Sequence, residues 1–282
     1  MPTSVTPLRL TFGGGGSDLH NGEGICLSAT IDKHITVTVT PTWSDTYTLH
    51  YSSFEKVTDA HAIQHRILRR ILVDQMVRPG IQISSIGEIP AGTGLGSSGA
   101  FTVGTLRALL PDASRAVLAD LACEYDVGQQ DQWSAIYGGI NVYDFAEGII
   151  RPVWTSLTSD DFSLYYTGLH HDAAALLTGP AKPYDVAQSQ VFHAVTALED
   201  DDIAELGYQF SSQWKHKLAA CPSHEHQMID TWIDKGVNNG AYGGKLVGAG
   251  NGGFILFAGD AGIIPGLART PFQFTDQGTR CV

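Results

Sequence analysis

The sequence predicts an α+β fold organised in two lobes, and three observations carry this prediction. Segments with the two-residue period of strands and segments with the helical period occur in mixed order, without the regular alternation that a parallel βαβ sheet requires. Hydrophobic residues make up 43% of the chain and charged residues 16%, which allows a substantial core. The length of 282 residues suits two domains of ordinary size. We place their division near Thr155, as residues 1–155 and 156–282.

In the first lobe, alternating β-branched residues predict strands, most clearly in IDKHITVTVT at Ile31–Thr40. Apolar residues at helical spacing predict a helix from Asp59 to Val77. The other predicted elements of this lobe are strands at Leu8–Phe12, Tyr47–Tyr51 and Gly80–Ile86, helices at Ser98–Leu110, Ser114–Tyr125 and Gln130–Tyr137, and strands at Ile140–Phe145 and Ile149–Trp154.

The second lobe begins with a predicted strand at Phe162–Thr167. Helical spacing follows in three segments, and the last clear pattern is two apolar strands joined by a glycine-rich turn between Ala241 and Ala258. The predicted helices are Gln188–Leu198, Asp202–Leu218 and His226–Lys235.

The formal net charge of −12 disfavours a nucleic-acid partner, because such proteins present a basic face to the phosphates. The chain has no run of about 18 apolar residues and no apolar segment near its start, so we expect no membrane span and no signal peptide. The four cysteines, at 26, 123, 221 and 281, are widely separated and have no CxxC spacing. Unpaired thiols are typical of a reducing compartment, and we expect a cytoplasmic protein.

The segment IPAGTGLGSSGAF, Ile89 to Phe101, is a glycine-rich turn that leads into a predicted helix. A Walker loop requires a lysine directly after its last glycine, but here Ser97 follows Gly96. A dinucleotide fingerprint requires a glycine at position 97, where this chain also has serine. Small residues still expose backbone N–H groups at a helix N-terminus, which favours a polyphosphate. Ser97 and Ser98 add hydroxyl groups that can bind Mg²⁺. The alternative is a plain turn whose Ser98 caps the helix.

A second segment, GAGNGG at Gly248–Gly253, matches GxGxxG but lies between two strands rather than before a helix. A dinucleotide-binding site is therefore a poor interpretation of this segment. We expect a tight turn whose backbone is approached closely by another loop or by a ligand.

Taken together, three segments resemble the motifs of the GHMP kinase superfamily of small-molecule kinases. These are PLRLTFGGGGSDL, EIPAGTGLGSSGAFTVGTLRALL and KLVGAGNGGFILF, in the family's order. Finer features, such as GQQDQWSAIYGGINVYDF and LYYTGLHHDA, resemble the branch of D-glycero-D-manno-heptose 7-phosphate kinases. The resemblance implies an N-terminal lobe like ribosomal protein S5 domain 2, a ferredoxin-like C-terminal lobe, and ATP with Mg²⁺ between them. It further implies transfer to a sugar hydroxyl, the anomeric one of a heptose 7-phosphate.

The resemblance also implies roles for individual residues. Asp131 falls at the position of the catalytic aspartate, and Arg9 matches the basic residue of the first motif. The implied ATP-binding residues are Pro90, Gly92, Gly94, Leu95, Gly96, Ser97, Ser98 and Gly99. The implied substrate-binding residues are Gly15, Gly16, Ser17, Asp18, Gly250 and Asn251. The implied partner is a sugar or sugar phosphate, and the sequence leaves open whether the chain forms a homodimer.

The metal ligands implied by the resemblance are Ser97, Ser98 and Glu124. The chain departs from the family here, because only six residues separate Glu124 from Asp131 where relatives have a longer segment. Asp126 is therefore an alternative ligand. Asn251 in the third motif replaces a glycine, and the first motif carries an extra glycine.

Two alternatives to a heptose 7-phosphate kinase stay open: a sugar 1-kinase of fucose or hexose type, and a catalytically silent relative that binds nucleotide or sugar. A pocket without a basic residue opposite Asp18 would favour the first. Candidate groups for a substrate phosphate are the basic stripe Arg66, Arg69 and Arg70, or His170 and His171, although solvated surface residues are the simpler interpretation of both.

Overall fold

The computed structural model describes residues 2–19, 23–169, 182–220, 223–248 and 252–282. Gly250 and Asn251, predicted to bind substrate, and His170 and His171 lie outside the described residues. No helix within the described ranges is long and apolar enough to cross a membrane.

The first half of the chain forms a mixed eight-stranded sheet flanked by four helices. The elements of this half are β1 (Thr3–Gly13), β2 (Ile25–Pro41), β3 (Tyr47–His50), β4 (Phe54–Val57), α1 (Arg66–Asp74), β5 (Ile81–Gly87), α2 (Ser97–Leu109), α3 (Arg115–Tyr125), α4 (Gln130–Tyr137), β6 (Ile140–Asp144) and β7 (Ile149–Pro152). The eighth strand is β12 (Arg280–Cys281), from the end of the chain. The strands follow the order β12-β1-β2-β5-β3-β4, and the pair β6 and β7 joins the same sheet along β2.

The long strand β2 organises this sheet because each of its two halves pairs with a different neighbour. Residues Ile25–Ala29 pair with β6, and residues Ile35–Pro41 pair with β5, all antiparallel. Buried side chains alternate along its second half, as expected for a sheet covered by helices on one face. Helix α2 lies against β1 and β2, and helix α4 lies against α2. The glycine-rich loop before α2 is thereby held at the edge of the core.

The second half forms an antiparallel four-stranded sheet in the order β11 (Ala268–Arg269), β8 (Phe162–Tyr166), β10 (Phe254–Ala258) and β9 (Gly243–Leu246). Helices α6 (Ile203–Ala220) and α7 (His224–Asn238) pack on this sheet, whereas α5 (Tyr184–Glu199) packs on α6 and on β1 and β2 of the first sheet. Its core includes Trp214, Ile229, Ile233, Ile255 and Phe257, all almost fully buried. The elements of this half are β8 (Phe162–Tyr166), α5 (Tyr184–Glu199), α6 (Ile203–Ala220), α7 (His224–Asn238), β9 (Gly243–Leu246), β10 (Phe254–Ala258), β11 (Ala268–Arg269) and β12 (Arg280–Cys281).

The end of the chain returns to the first sheet. Strand β12 pairs antiparallel with β1, and the backbone N–H of Thr275 donates to the carbonyl oxygen of Thr30 at 3.0 Å. Aromatic rings from both halves meet where the halves join, with Phe12 and Phe162 stacked at 5.6 Å between centroids. The division near Thr155 stays a prediction. If the lobes divide there, strand β12 at the end of the chain belongs to the sheet of the first lobe.

Most predicted elements are present with small shifts of their ends, and the α+β class is confirmed. The single helix predicted from Asp59 to Val77 is wrong in extent. A short 3₁₀ turn at Ala60–Ala62 comes first, capped by the Asp59 carboxylate, and α1 begins only at Arg66, where the His65 ring accepts from the Leu68 N–H. Two local caps interrupt a segment whose apolar spacing is continuous.

Candidate active site

A cleft of about 2060 Å³ lies where the two halves of the chain face each other. Its first wall is formed by the glycine-rich loop before α2 and the start of α4, and its second wall by residues of α5, α6 and β9. The cleft is large enough for two small molecules rather than one.

Arg9 and Asp131 form an ion pair at the centre of the first wall. The Asp131 Oδ1 accepts from Arg9 Nε at 2.9 Å and from Arg9 Nη2 at 2.6 Å, while Arg9 Nη1 donates to the Gly94 carbonyl oxygen. The Arg9 side chain is 8% exposed and that of Asp131 is 26% exposed, so the carboxylate is the more exposed member of a pair that lines the cleft with both residues. Through its two bonds to Oδ1, the planar guanidinium fixes the orientation of the carboxylate.

The position of this pair depends on Gly99 in α2. A Cβ at Gly99 would lie 2.5 Å from the Cβ of Asp131, so α2 and α4 approach each other at a separation that only glycine permits. Asp131 stands in the first turn of α4, where the helix dipole favours a negative charge.

The loop before α2 presents backbone donors to the cleft. Gly96 is the N-cap of α2 with a left-handed φ of 76°, and no side chain caps the helix. The interpretation of Ser98 as a capping residue is therefore wrong. The Ala100 N–H makes the first intrahelical bond, to Gly96 at 2.9 Å, so the N–H groups of Ser97, Ser98 and Gly99 precede it and are available to an anion.

The second glycine turn packs directly on this loop. A Cβ at Gly94 would overlap the carbonyl oxygen of Val247, and a Cβ at Gly248 would lie 2.6 Å from the Gly94 Cα. The sequence predicted that another loop or a ligand would approach this turn closely, and the loop before α2 does so. The contact ties the loop of the first half to β9 of the second half.

Asp18 is buried beside α4 and serves as its cap. One carboxylate oxygen accepts from the backbone N–H groups of Gln129 at 2.6 Å and Gln130 at 2.8 Å. Burial raises the pKa of Asp18 above its usual value, and the two N–H donors oppose that rise. Asp18 lines the cleft, so its carboxylate both positions the helix that carries Asp131 and faces any ligand bound there.

Of the predicted metal ligands, the two serines line the cleft and Glu124 does not. Ser97, Ser98 and Asp126 line the cleft, and a side-chain hydrogen bond from Ser98 acts on Asp126. Burial raises the pKa of Asp126, an effect that the bond from Ser98 partly offsets. Glu124 is exposed on α3 and does not line the cleft. The geometry thus favours the alternative ligand Asp126, because Glu124 points out of the site from the last turn of its helix.

Other predicted residues divide in the same way. Those that line the cleft are Pro90, Gly92, Gly94, Gly96, Gly15 and Gly16. Leu95 is fully buried behind the loop, and its carbonyl oxygen accepts from the Arg9 N–H at 3.0 Å. Ser17 is buried, and its hydroxyl bonds the Ile25 backbone at 2.9 and 3.0 Å. Leu95 and Ser17 therefore support the two loops from the protein interior and do not line the cleft.

Sequence reasoning missed the basic residues of the second wall, Lys182, Lys217 and Lys245. One signal was available for Lys245: it is a lysine inside a predicted apolar strand, and an unpaired lysine is almost never fully buried. An aromatic recess was also missed, in which the His65 ring lies 4.7 Å from the Tyr51 ring and 5.0 Å from the Phe101 ring.

Comparison with known proteins agrees with this geometry. Residues 59–139 match the family of GHMP kinases N terminal domains. The D-glycero-alpha-D-manno-heptose 7-phosphate kinase of Campylobacter jejuni is 26% identical over 329 aligned positions, which cover 98% of this chain and 97% of the relative.

Two solved structures have a similar fold. A D-glycero-D-manno-heptose 1-phosphate kinase from Bacteriodes thetaiotaomicron superposes with a TM-score of 0.75 at 23% identity, covering 100% of this chain and 99% of the other. The phosphomevalonate kinase of Streptococcus pneumoniae, in complex with phosphomevalonate and AMPPNP, superposes with a TM-score of 0.75 at 18% identity, covering 92% and 93%.

The architecture is that of the two-lobed small-molecule kinases, with the glycine loop and the Arg9–Asp131 pair on one wall of the cleft. Residues 59–139 match the N-terminal domain of the GHMP kinases, and over nearly its full length the chain is similar in sequence to one heptose 7-phosphate kinase and in fold to the two solved kinases. The predicted resemblance to the GHMP kinases is confirmed.

Proposed function

We propose that the chain transfers the γ-phosphoryl group of ATP to a hydroxyl group of a sugar phosphate bound in the cleft. The observation that carries this proposal is the Arg9–Asp131 pair, whose partly exposed carboxylate faces the same cavity as the free N–H groups at the start of α2. A carboxylate and a polyphosphate site in one cavity are the two parts that phosphoryl transfer needs.

In this mechanism Asp131 accepts a hydrogen bond from the acceptor hydroxyl and orients its oxygen toward the γ-phosphorus. As that oxygen bonds to phosphorus and the bond to the β–γ bridging oxygen breaks, Asp131 takes the hydroxyl proton. Arg9 orients the Asp131 carboxylate through two hydrogen bonds and adds positive charge beside the γ-phosphoryl group. The N–H groups of Ser97 and Ser98 bind the phosphate chain, and the Tyr51–His65–Phe101 recess offers aromatic faces to the nucleotide base.

The residues near Ser98 fit Mg²⁺. This ion binds oxygen ligands and keeps most of its water, and it uses one or two carboxylates together with substrate phosphates. Asp126 with the hydroxyl groups of Ser97 and Ser98 supplies such a set. When bound there, Mg²⁺ would neutralise charge on the phosphate chain.

The acceptor we propose is D-glycero-D-manno-heptose 7-phosphate, phosphorylated at its anomeric hydroxyl. The names of two relatives, a heptose 7-phosphate kinase and a heptose 1-phosphate kinase, support this substrate. The basic second wall supports a phosphorylated acceptor over a free fucose or hexose. The intact Arg9–Asp131 pair argues against a catalytically silent relative.

The test is ADP release with a panel of acceptors, combined with ³¹P NMR of the product. We expect turnover with the heptose 7-phosphate and a new anomeric phosphate signal. Turnover only with unphosphorylated fucose or hexose would replace the acceptor, and no turnover with any sugar would remove the kinase proposal.

The metal site gives a further prediction. We expect Asp126→Asn to raise the Mg²⁺ concentration needed for half-maximal activity about 10- to 100-fold, because a charged ligand is lost. Glu124→Gln is the matched control, and its Mg²⁺ requirement is expected to equal that of the wild type because Glu124 lies outside the cleft. A larger shift in the Glu124 variant would restore Glu124 as the ligand.

A further inference from the structure

Two lysines from different elements flank the glycine loop at Gly13–Gly16. The Lys245 Nζ donates to the Phe12 carbonyl oxygen at 3.0 Å and to Gln213 Oε1 at 2.8 Å. The Lys182 Nζ donates to Gln190 Oε1 at 2.7 Å, and its backbone N–H donates to the Gly16 carbonyl oxygen at 3.0 Å. Both lysines line the cleft that contains Asp131.

Neither lysine has an anionic partner in the part of the chain that the structure describes. No carboxylate oxygen of those residues lies within 4.0 Å of either ammonium group, and the acceptors of their hydrogen bonds are neutral oxygens. The Lys245 Nζ also lies 5.1 Å from the centre of the Phe210 ring, a cation–π contact that adds no negative charge. Lys245 is only 6% exposed. Burial of an ammonium group without a counter-ion costs desolvation free energy. Two such groups in one cleft therefore indicate that an anion binds there and offsets this cost.

The two lysines also act on each other. Burial lowers the pKa of Lys182 to about 8, and burial together with the charges of Lys182, Lys217 and Arg9 lowers the pKa of Lys245 well below its usual value. The cluster stands in a chain whose formal net charge is −12, and three of its seven lysines line this one cleft. A bound anion would supply the charge that the protein itself does not provide.

We propose that Lys182 and Lys245 form a second anion site, which binds the phosphate group already present on the acceptor. This assignment rests on the proposed kinase function and names the feature that selects its substrate. A phosphate monoester carries a charge of about −1.5 to −2 at neutral pH, which two ammonium groups match. The site places that phosphate beside the Gly13–Gly16 loop, on the wall opposite the start of α2.

The neighbouring basic groups have other positions. The Lys217 Nζ donates to the Gly248 carbonyl oxygen at 2.9 Å, and Gly248 packs on Gly94, so Lys217 lies toward the nucleotide loop. In the basic stripe, Arg69 donates to the Ile63 carbonyl oxygen and Arg70 lies over the Tyr125 ring. Arg69 and Arg70 do not line the cleft, and Arg66, which does, acts on Asp126 beside the nucleotide loop. The lysine pair is therefore the better phosphate site.

The experiment compares Lys182→Met and Lys245→Met with the wild type in steady-state kinetics. Each change keeps an unbranched side chain as far as the ε position and removes the ammonium group with its charge. Because a hydrogen bond from a charged group is lost, we expect KM for the sugar phosphate to rise about 10- to 100-fold in each variant, with KM for ATP unchanged. Lys215→Met, at an exposed lysine paired with Asp230, is the control and should match the wild type.

Thermal unfolding separates this role from a structural one. Removal of an unpaired buried charge is expected to leave the melting temperature of Lys245→Met unchanged or higher. Inorganic phosphate provides a probe that does not depend on turnover: it should bind the wild type and bind both variants about 10-fold more weakly.

The outcomes are distinguishable. An unchanged KM for the sugar phosphate in both variants overturns the lysine site, as does a rise confined to KM for ATP. If the wild type shows no phosphoryl transfer but its lysines still govern phosphate binding, the kinase proposal fails and the anion site stands.

Discussion

Replacement of Asp131 by asparagine is expected to lower kcat about 10²- to 10⁴-fold while ATP binding is retained. Asparagine keeps an oxygen that can accept from Arg9, so the start of α4 should stay in place. It cannot take the proton of the acceptor hydroxyl, and it removes the negative charge that orients that hydroxyl. The measurement is ADP release under saturating acceptor, with the nucleotide dissociation constant determined separately by calorimetry.

The matched control is Asp120→Asn, the same change at an exposed aspartate of α3. We expect wild-type kcat and wild-type stability for this variant. If Asp131→Asn retains more than about a tenth of the wild-type kcat, Asp131 is not the group that receives the proton, and the cleft would need another base.

The sequence could predict Asp131 and Arg9 together because the family motifs fix them, and α4 runs from Gln130 to Tyr137 as its pattern indicates. It could not decide between Glu124 and Asp126. Both carboxylates stand near the end of α3, and only the direction of the last helical turn determines which one enters the cleft. That direction follows from packing of α3 against α4, which local periodicity does not contain.

The second wall was beyond prediction for a similar reason. Lys182 and Lys245 are far apart in sequence and come together only because the segment before α5 and the strand β9 both reach the Gly13–Gly16 loop, where Lys182 bonds the Gly16 carbonyl oxygen and Lys245 that of Phe12. The return of β12 to β1 was missed because a two-residue strand has too few residues to show a period. Non-local contacts of this kind have no signature in one segment.

The close packing of the two glycine turns leads to the second large effect, which concerns Gly94. Gly94→Ala is expected to destabilise the protein by about 2–5 kcal/mol, which is roughly 5–15 °C in melting temperature. Gly94 has a φ of 82°, where an alanine is strained, and its new methyl group would overlap the Val247 carbonyl oxygen. The loop must then move away from β9, so the N–H groups before α2 leave their position and KM for ATP rises as well.

Gly148→Ala separates the two causes of this effect. Gly148 also has a positive φ, of 66°, but a Cβ there meets nothing within 4 Å, so the loss should be only about 1 kcal/mol. Gly248→Ala disturbs the contact from its other side, and it should reproduce the Gly94 phenotype. Since both changes break one contact, the double variant should lose less stability than the sum of the two single variants. Equal effects at Gly94 and Gly148 would show that backbone strain alone matters, and that contact between the turns does not hold the nucleotide loop in place.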